Sequence, residues 1–566
     1  MRCDAADCRP DHPSHRVSRS HVRAWSGALA LVLLAVTVWR AWVVVHVHAG
    51  LHVDEAQYWV WSQALDWGYY SKPPAIAALV AASTTLLGDG LLGVKALAML
   101  CYPLTAWVLY RWVTGVIVDV SPGPGRRPER AGQVAALLFI ASPVAGLLGL
   151  AATTDAPLLL AWSLATRSLW RAWRDGRRQD WLLLGLWLGL GLMSKYTMAA
   201  FAISALGLLA CLPRATPNGL PRWRGLALTA LVALACITPN LLWNALNGWP
   251  TWRHTAEITL GVESASRGAA LAEYIVGLVL LLGPVAGPAL LVNRWSRVGL
   301  RWRPRAPDGM TVTRRDAWIA TAWLTAPLAL IGGVQAWHGR AQVNWAAPVL
   351  IGATLAVALA LRAEWPGRRL RGWYLVLAAQ TLLLAGITLA TDVAHLAHRP
   401  LPRRLDVWAR MRGWDQAFAR LQPAAEAFWR RQDALHPGLP RQVLGTDRAV
   451  LANGAYAWRA LSPHWVAWRG DGEVAHDHFQ LTAALRPAGQ SLPLLFVGEG
   501  PPQGPLLAAL EGPPSRLAVV DVQQTPGRVL HLELWQAELA PRQVETLSQS
   551  LIAHAGRHVT AGRHPN

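Results

Sequence analysis

The sequence has 566 residues, of which 53% are hydrophobic, and its mean hydropathy is +0.25. Several apolar runs approach the length of about twenty residues that a helix needs to cross a bilayer, which excludes a soluble globular protein. The formal net charge of +20 would suggest a nucleic-acid partner in a soluble protein. Here the arginines lie in short loops between apolar runs, where the positive-inside rule accounts for them. The sequence therefore predicts a multi-pass membrane protein with no nucleic-acid partner.

The five cysteines lie in the N-terminal arm or in apolar runs, and none lies in the C-terminal portion. This distribution predicts neither a disulfide framework nor a cysteine metal site. The sequence also contains neither of two nucleotide-binding motifs, the Walker A sequence and the dinucleotide-binding glycine fingerprint.

The N-terminal end sets the predicted orientation in the membrane. Residues 1–25 form a basic arm that should stay cytoplasmic, and Ser26–Val45 is the first predicted span. The long apolar run and the long arm favour an uncleaved anchor over a cleaved signal peptide. Residues 47–90 then form the first extracytoplasmic loop. Within it the short apolar run Ala75–Leu87 is predicted to be an interfacial or re-entrant helix.

Residues 26–391 are predicted to form an all-α polytopic domain with about eleven spans. Later apolar runs lie near 92–113, 132–150, 181–212, 226–246, 271–292, 317–335, 345–361 and 373–391, and a further run follows Pro157. The run at 181–212 has basic loops at both ends, so we expect a hairpin whose turn, with Lys195, lies at outer depth. An odd number of spans places the C-terminal portion outside, and no internal repeat is present.

Residues 392–566 are predicted to form a C-terminal soluble α/β domain. Short β-like runs at Leu492–Val497, Leu517–Val522 and Val529–Trp535 are separated by Gly and Pro turns, and a helix-like stretch at Asp415–Trp429 precedes them. A segment of this length can bury its own core. The domain either covers and shapes a functional site on the outer face or is a stabilising cap without chemistry. The sequence leaves both alternatives open.

Paired carboxylates, Asp54 and Glu55, follow the first span by a few residues. Acidic groups at the membrane surface are costly to desolvate, which makes them candidates for function. If the stretch is helical, Asp54, Tyr58 and Trp61 share one face by their spacing. The alternative is that Asp54 only caps a short interfacial helix.

The Asp-Glu pair after the first transmembrane helix, together with the downstream Lys72-Pro73-Pro74, resembles the polytopic GT-C glycosyltransferases. The nearest branch is that of the protein O-mannosyltransferases and the bacterial lipid A aminoarabinose transferases. In layout the resemblance covers roughly residues 25–390. It implies inverting single displacement from a polyprenyl-phosphate-linked sugar, with undecaprenyl as the expected carrier. The lysine-poor, arginine-rich composition indicates a GC-rich bacterial genome, so we expect the inner membrane, a periplasmic site and a periplasmic C-terminal domain.

Glycosyl transfer from a lipid phosphate needs a base for the acceptor and cations for the phosphate that leaves. Asp54 is the candidate base, and Glu55 orients the acceptor or helps to bind a cation. Only three lysines occur among the 53 Lys and Arg residues, and Lys72 and Lys195 both fall at outer depth. A compact ammonium group suits a phosphate there, although snorkelling of an ordinary lysine is the alternative.

The remaining candidates come from other predicted outer loops. Asp155 lies in a short turn where the resemblance implies a second acidic site, although a helix N-terminus is the alternative. The full set is Asp54, Glu55 and Asp155 for catalysis, Lys72, Lys195 and Arg340 for the donor phosphate, and Tyr58, Tyr70, Arg253, His338 and Asn344 for the sugar or acceptor. No ligand spacing indicates a metal, so no cofactor is assigned, and a divalent metal cation remains an alternative.

Two other classes of protein compete with an enzyme. A transporter or lipid-linked sugar flippase would place charges at mid-membrane in broken helices and often has repeated halves. Here the charges cluster at one face, which favours the glycosyltransferase. A non-catalytic assembly protein is disfavoured by the intact Asp-Glu and Lys-Pro-Pro motifs. The residues that follow Asp-Glu depart from both characterised branches, so the envelope acceptor stays open among lipid A, another glycan, a lipid and a protein.

Overall fold

The computed structural model describes residues 14–123, 125–213, 219–260, 266–292, 312–339, 342–364, 368–399, 401–470, 473–485 and 492–540. The chain divides into two compact units. The first, called the membrane unit, comprises Met1–His48 and Trp61–Ala394. The second unit comprises Ala49–Val60 and His395–Asn566. Residues 49–60, which the sequence analysis assigned to the transmembrane domain, thus cluster with the C-terminal portion.

The membrane unit is helical. Its helices, including α2, which begins in the second unit, are α1 Ser14–His46, α2 Val53–Ser62, α3 Ala75–Leu87, α4 Leu91–Val120, α5 Pro128–Ile140, α6 Pro143–Leu147, α7 Asp155–Asp175, α8 Arg178–Ser194, α9 Ala199–Cys211, α10 Arg222–Leu246, α11 Pro250–Leu260, α12 Arg267–Leu281, α13 Ala286–Val292, α14 Arg314–His338, α15 Val349–Ala360 and α16 Arg368–Leu396. These bounds follow the predicted apolar runs closely. The predicted interfacial run coincides with α3.

Five helices among the described residues are long and apolar enough to cross a membrane: Ser26–His46, Leu91–Val120, Arg222–Leu246, Arg314–His338 and Leu370–Leu396. A sixth candidate is the pair Pro128–Ile140 and Pro143–Leu150, which is bent by 59° at the break between its helices. Ala75–Leu87, Tyr196–Cys211 and Val349–Ala360 are apolar but shorter. Length and composition therefore support a multi-pass protein, while the count of about eleven spans stays a prediction.

Close helix contacts in the membrane unit depend on small residues, as is common between helices in membranes. Gly185 of α8 faces α10, and a Cβ atom at Gly185 would lie 2.6 Å from the Thr229 carbonyl oxygen. A Cβ atom at Gly132 of α5 would lie 2.5 Å from the Tyr110 carbonyl oxygen of α4. The backbones of α4 and α5, and those of α8 and α10, therefore lie in close contact.

Helices α8 and α9 are separated by a break at Lys195, as the hairpin prediction requires. Lys195 has extended backbone angles, φ −162° and ψ 133°, and a 3-10 turn at Tyr196–Met198 leads into α9. The break places the Lys195 side chain at the end of α8 rather than along its length.

The second unit contains α17 Trp414–Leu435, α18 Arg448–Ala457, α19 His478–Thr482 and α20 Gly504–Ala508, and β1 Gln442–Gly445, β2 His464–Ala467, β3 Leu492–Gly498, β4 Ser515–Thr525 and β5 Arg528–Leu539. The strands form one sheet in the order β2-β1-β3-β5-β4. β1 pairs in parallel with β2 and β3, whereas β5 pairs antiparallel with β3 and β4. Buried Leu444, Leu494 and Phe496 contribute to its core.

The predicted fold class is confirmed, since a helical domain is followed by a C-terminal domain with a small sheet. The three predicted strands correspond to β3, β4 and β5, and the predicted helix corresponds to α17. The sequence analysis missed β1 and β2. Each has only four residues, which is too short for an alternating pattern to be recognised.

Candidate active site

The predicted site residues fall into two groups, and each group is described within its own unit. Asp54, Glu55 and Tyr58 belong to the second unit. Tyr70, Lys72, Asp155, Lys195, Arg253, His338 and Asn344 belong to the membrane unit. Arg340 lies outside the described residues.

The first turn of α2 positions the Asp-Glu pair through reciprocal hydrogen bonds with His52. The His52 backbone N–H donates to Glu55 Oε2 over 2.8 Å, and the Asp54 backbone N–H donates to His52 Nδ1 over 3.2 Å. This arrangement resembles a capping box. Glu55 is 1% exposed and therefore serves the start of the helix. Asp54 is the second residue of α2 rather than the residue before it, so its side chain is not needed as the cap.

The Asp54 side chain is half-exposed and forms an ion pair with Arg448. Arg448 Nη1 lies 2.9 Å from Asp54 Oδ1 and also donates to Gln57 Oε1 over 2.9 Å. Arg448 begins α18, where the preceding Asp447 accepts hydrogen bonds from the Ala449 and Val450 backbone N–H groups. Sequence reasoning missed Arg448, because nothing in the local sequence indicates a partner 394 residues away.

Aromatic packing holds α2 against α18 within the second unit. Tyr58 and Trp59 are buried, and the Trp59 ring meets Tyr456 of α18 edge-on at a centroid distance of 5.3 Å. Such pairs contribute roughly 0.5–1.5 kcal/mol beyond the burial of their area. The position of the Asp54 carboxylate is therefore fixed from two directions, by the packing of α2 and by the ion pair.

In the membrane unit, two of the predicted residues contact each other directly. Lys195 Nζ donates to Asp155 Oδ1 over 2.8 Å, and the two side chains are 14% and 5% exposed. Asp155 is the first residue of α7, and Lys195 lies at the break between α8 and α9. The pair links the beginning of one helix to the end of another. The Lys195 charge is therefore already compensated by a carboxylate.

A buried arginine that the sequence analysis did not single out lies near the Asp155 turn. Arg40 of α1 is 3% exposed, donates to the Ala145 carbonyl and lies over the Tyr102 ring at 5.7 Å from its centroid. The Tyr102 hydroxyl is 3.3 Å from Thr153 Oγ1, two residues before Asp155. Charged residues within membrane helices usually have a structural or functional partner, and here the partners are a carbonyl and an aromatic face.

The loop that follows α2, residues 63–74, carries Tyr70 and Lys72 and is held by polar side chains of α10 and α11. Asn240 Nδ2 donates to the Trp67 carbonyl over 2.7 Å, and Thr251 Oγ1 donates to the Tyr69 carbonyl over 2.8 Å. Gly68 is needed there, because a Cβ atom would lie 2.3 Å from the Trp243 ring. The loop that contains the Lys-Pro-Pro motif is therefore a fixed element.

Tyr69 and Tyr70 have different surroundings within this loop. The Tyr69 ring stacks on Trp61 with a centroid distance of 4.5 Å, and its hydroxyl donates to the Trp61 carbonyl. Burial raises the pKa of Tyr69 to about 12, so the hydroxyl remains a neutral donor. Tyr70 is buried, and its ring lies 5.2 Å from that of His254. Lys72 is half-buried, and its carbonyl accepts the Tyr69 backbone N–H.

The remaining candidates are more exposed. Arg253 of α11 and His338, the last residue of α14, are exposed, and Asn344 is half-buried in a short 3-10 helix. Among the described residues, no group of three or more His, Cys, Asp or Glu side chains could hold a metal ion. The divalent cation considered from the sequence thus has no ready set of ligands in the part of the chain that is described.

Three comparisons with known proteins agree with one another. Residues 71–243 match the model of the dolichyl-phosphate-mannose-protein mannosyltransferase family. The fold is similar to that of ArnT from Cupriavidus metallidurans in the apo state, with a TM-score of 0.57, 15% identity and coverage of 91% of this chain and 98% of that chain. The chain therefore has the GT-C fold, and the resemblance to GT-C superfamily glycosyltransferases is confirmed.

At the level of particular proteins, the chain is similar to the lipid A galacturonosyltransferase RgtD of Rhizobium johnstonii. The two are 30% identical over 337 residues, which is 59% of this chain and 66% of the relative. The match thus spans just under two thirds of the length of that curated relative. The matched family residues, 71–243, include Lys72, Asp155 and Lys195 but end before the second unit's C-terminal portion.

Proposed function

We propose that this protein is a membrane glycosyltransferase that moves a sugar from a polyprenyl-phosphate donor to a hydroxyl group of an envelope acceptor. The proposed location is the periplasmic face of the bacterial inner membrane. The similarity to a lipid A galacturonosyltransferase makes lipid A the first acceptor to test and galacturonic acid the first sugar. The proposal is supported by the GT-C fold and by the Asp54 carboxylate, which is fixed in position and still half-exposed.

The proposed reaction is a single displacement with inversion. The acceptor hydroxyl oxygen attacks the anomeric carbon while the bond from that carbon to the phosphate oxygen breaks. The phosphate oxygen leaves with the bonding electrons as polyprenyl phosphate, and the hydroxyl proton passes to the Asp54 carboxylate. A positioned general base of this kind contributes typically about 10²–10⁴-fold to a rate.

This assignment rests on the fixed position and the exposure of the Asp54 side chain at the start of α2. Its backbone is held by His52, and its carboxylate is oriented by Arg448. Because the pair is 43% exposed on both sides, an acceptor hydroxyl can reach the carboxylate without first disrupting a buried ion pair. Glu55 supports the same helix turn, and we assign it to positioning.

The leaving phosphate gains negative charge as its bond to the sugar breaks. A cation aimed at that oxygen stabilises the transition state more than the ground state. We propose Lys72 for this role, because it lies on the fixed loop 63–74 and because a compact ammonium group suits a phosphate. Asp155 and Lys195 neutralise each other, so we assign that pair to holding α7 and α8 in place. Tyr70, Arg253, His338, Arg340 and Asn344 remain candidates for contacts with the sugar or acceptor.

The test is transfer of radiolabelled galacturonic acid from undecaprenyl phosphate to lipid A by the full-length protein in detergent. Asp54→Asn should lower kcat by about 10²–10⁴-fold while donor binding is retained. The matched control is Asp433→Asn, since Asp433 also pairs with an arginine in the second unit and is equally exposed. Equal transfer by Asp54→Asn and wild type would remove Asp54 as the base. Protein-dependent movement of the lipid phosphate across a bilayer, without any transfer, would support a flippase instead.

A further inference from the structure

We propose that a cationic pocket in the second unit binds phosphate groups of the acceptor. The pocket is a cavity of about 440 Å³ whose basic side chains are His52, Arg403, Arg404 and Arg410. We call the cavity lined by these four residues the arginine pocket. The inference rests on the proposed function and specifies the chemistry of its acceptor. None of these four residues is among the candidates of the sequence analysis.

The charge of the three arginines in this cavity is not compensated by an ion pair among the described residues. One carboxylate, Asp406, also lines the cavity. Its Oδ2 atom already pairs with Arg412 Nε over 3.2 Å, and its Oδ1 atom accepts the Trp408 backbone N–H over 2.8 Å. Among the residues that the structure describes, Arg403, Arg404 and Arg410 have neither an ion pair nor a hydrogen bond. Three exposed guanidinium groups around one cavity repel one another, and an anion would relieve that repulsion.

The loop that carries these arginines is anchored rather than loose. Arg412 and Asp406 are 2% and 1% exposed as a pair, and this buried ion pair closes the segment that contains Arg410. Arg403 and Arg404 lie in the preceding turn, where the Leu405 and Asp406 backbone N–H groups donate to the Pro402 carbonyl over 2.8 and 3.2 Å. The Arg412 carbonyl also accepts a hydrogen bond from Gln524 Nε2 of β4 over 2.7 Å. The Gly50 backbone N–H donates to the Met411 carbonyl over 3.2 Å, which brings the His52 segment against the same loop. The cavity is thus a built feature, in which fewer side chains must be ordered when a ligand binds.

The number of positive groups indicates which substrate the pocket suits. Arginine guanidinium groups bind phosphate oxygens through two parallel hydrogen bonds, and three of them exceed the single charge of a phosphodiester donor. An acceptor with phosphate monoesters carries up to about two charges on each phosphate. A volume of about 440 Å³ lies within the usual range for small-ligand pockets. The pocket therefore fits the phosphorylated sugar headgroup of an acceptor better than the donor.

The pocket also adjoins the candidate base. His52 lines the cavity, and its Nδ1 atom accepts the Asp54 backbone N–H over 3.2 Å. The same Nδ1 atom lies 3.6 Å from Asp54 Oδ2. The structure of the second unit thus combines a binding element for the acceptor with the group that accepts its proton.

The kinetic test compares lipid A that carries its phosphates with the same lipid after enzymatic dephosphorylation. For wild type we expect removal of the phosphates to raise the acceptor KM by about tenfold or more while kcat changes little. The Arg403→Gln/Arg404→Gln double variant and the Arg410→Gln variant should raise the KM for phosphorylated lipid A similarly. The same variants should raise the KM for the dephosphorylated lipid only slightly. The matched control is Arg430→Gln/Arg431→Gln, an adjacent exposed arginine pair on α17 of the same unit.

Other occupants give different results. If the variants raise the donor KM instead, the pocket serves the polyprenyl phosphate and the proposal is wrong. If they slow transfer equally for both lipids, and only in vesicles that contain anionic lipid, the arginines contact the bilayer surface. Either result overturns an acceptor site.

A binding measurement keeps this inference separate from the proposed function. Isothermal titration of the full-length protein in detergent with a soluble bisphosphorylated glucosamine disaccharide should show binding that the Arg403→Gln/Arg404→Gln variant weakens by about tenfold or more. Such binding without any glycosyl transfer would retain the pocket and reject the transferase. Transfer by wild type that depends on neither the lipid phosphates nor the arginines would retain the transferase and reject the pocket.

Discussion

The two units each contain a short ion pair between candidate site residues, and the two pairs differ in burial. In the membrane unit, Lys195 lies 2.8 Å from Asp155, and the side chains are 14% and 5% exposed. In the second unit, Arg448 lies 2.9 Å from Asp54, and both side chains are 43% exposed. The distances are nearly equal, so burial rather than geometry distinguishes them.

This difference indicates different roles for the two acidic residues. Removing one partner of a buried pair leaves an uncompensated charge, which costs about 3–5 kcal/mol. An exposed pair contributes about 0–1 kcal/mol, so a substrate can replace one partner at little cost. Asp54 is therefore suited to a reaction in which its charge changes. Asp155 is suited to holding helices together, although the sequence alone ranked both as catalytic.

The largest expected effect comes from breaking the buried pair. Lys195→Met should lower the free energy of unfolding by about 3–5 kcal/mol, because Asp155 would remain buried without its cation. Thermal unfolding of the full-length protein in detergent measures this change, and Lys195→Arg, which keeps the charge, should lose much less. An unchanged unfolding temperature together with weaker donor binding would instead place Lys195 at the phosphate.

Breaking the exposed pair should affect transfer more than stability. Arg448→Ala should lower kcat about tenfold, since Asp54 and Gln57 lose the group that orients them, while stability changes by less than about 1 kcal/mol. Transfer assays and thermal unfolding measured on the same preparation separate the two effects. Arg441→Ala is the matched control, because Arg441 pairs with Asp433 over 2.7 Å at 42% and 43% exposure. If Arg441→Ala also lowered transfer, the loss in Arg448→Ala would reflect disruption of the second unit in general and not the orientation of Asp54.

The last effect is a pH dependence that arises from the second unit. Burial lowers the pKa of His478 from 6.5 to about 4. Between these values the unfolded chain binds a proton and the folded chain does not, so stability falls as the pH drops from about 6.5 towards 4. One such group changes stability by at most about 1.4 kcal/mol per pH unit. Thermal unfolding of wild type and His478→Gln at pH 7, 6 and 5 measures the slope, which the variant should reduce. An equal slope in both proteins would show that His478 is not the group responsible for the pH dependence of stability.

Much of the fold was predictable because its signals are local. The apolar runs, the break at Lys195 and the strands β3 to β5 are each encoded by a short stretch of sequence, and the structure has them where they were expected. The strands β1 and β2 are too short for their pattern to be read. The assignment of residues 49–60 to the second unit was also missed, because it depends on contacts with residues more than 340 positions later.

The candidate site was predictable in its residue types but not in its pairings. Positive charge in the loops indicated that Asp155 and Lys195 lie at the same depth, yet depth does not reveal that their side chains meet. Arg448 and the arginine pocket were missed for a related reason. In a chain with so many arginines, an exposed arginine in the C-terminal portion has no local feature that distinguishes a ligand-binding group from an ordinary surface charge.

The division of the second unit between two distant parts of the chain has a consequence for biosynthesis. Residues 49–60 leave the ribosome long before residue 395, with 334 residues made between them. At about 5–20 residues per second, this interval is roughly 17–67 seconds. During that time the Asp54 segment has none of its partners from the C-terminal portion. The candidate base thus acquires its final setting only near the end of translation, and a truncated chain would lack the Arg448 that orients it.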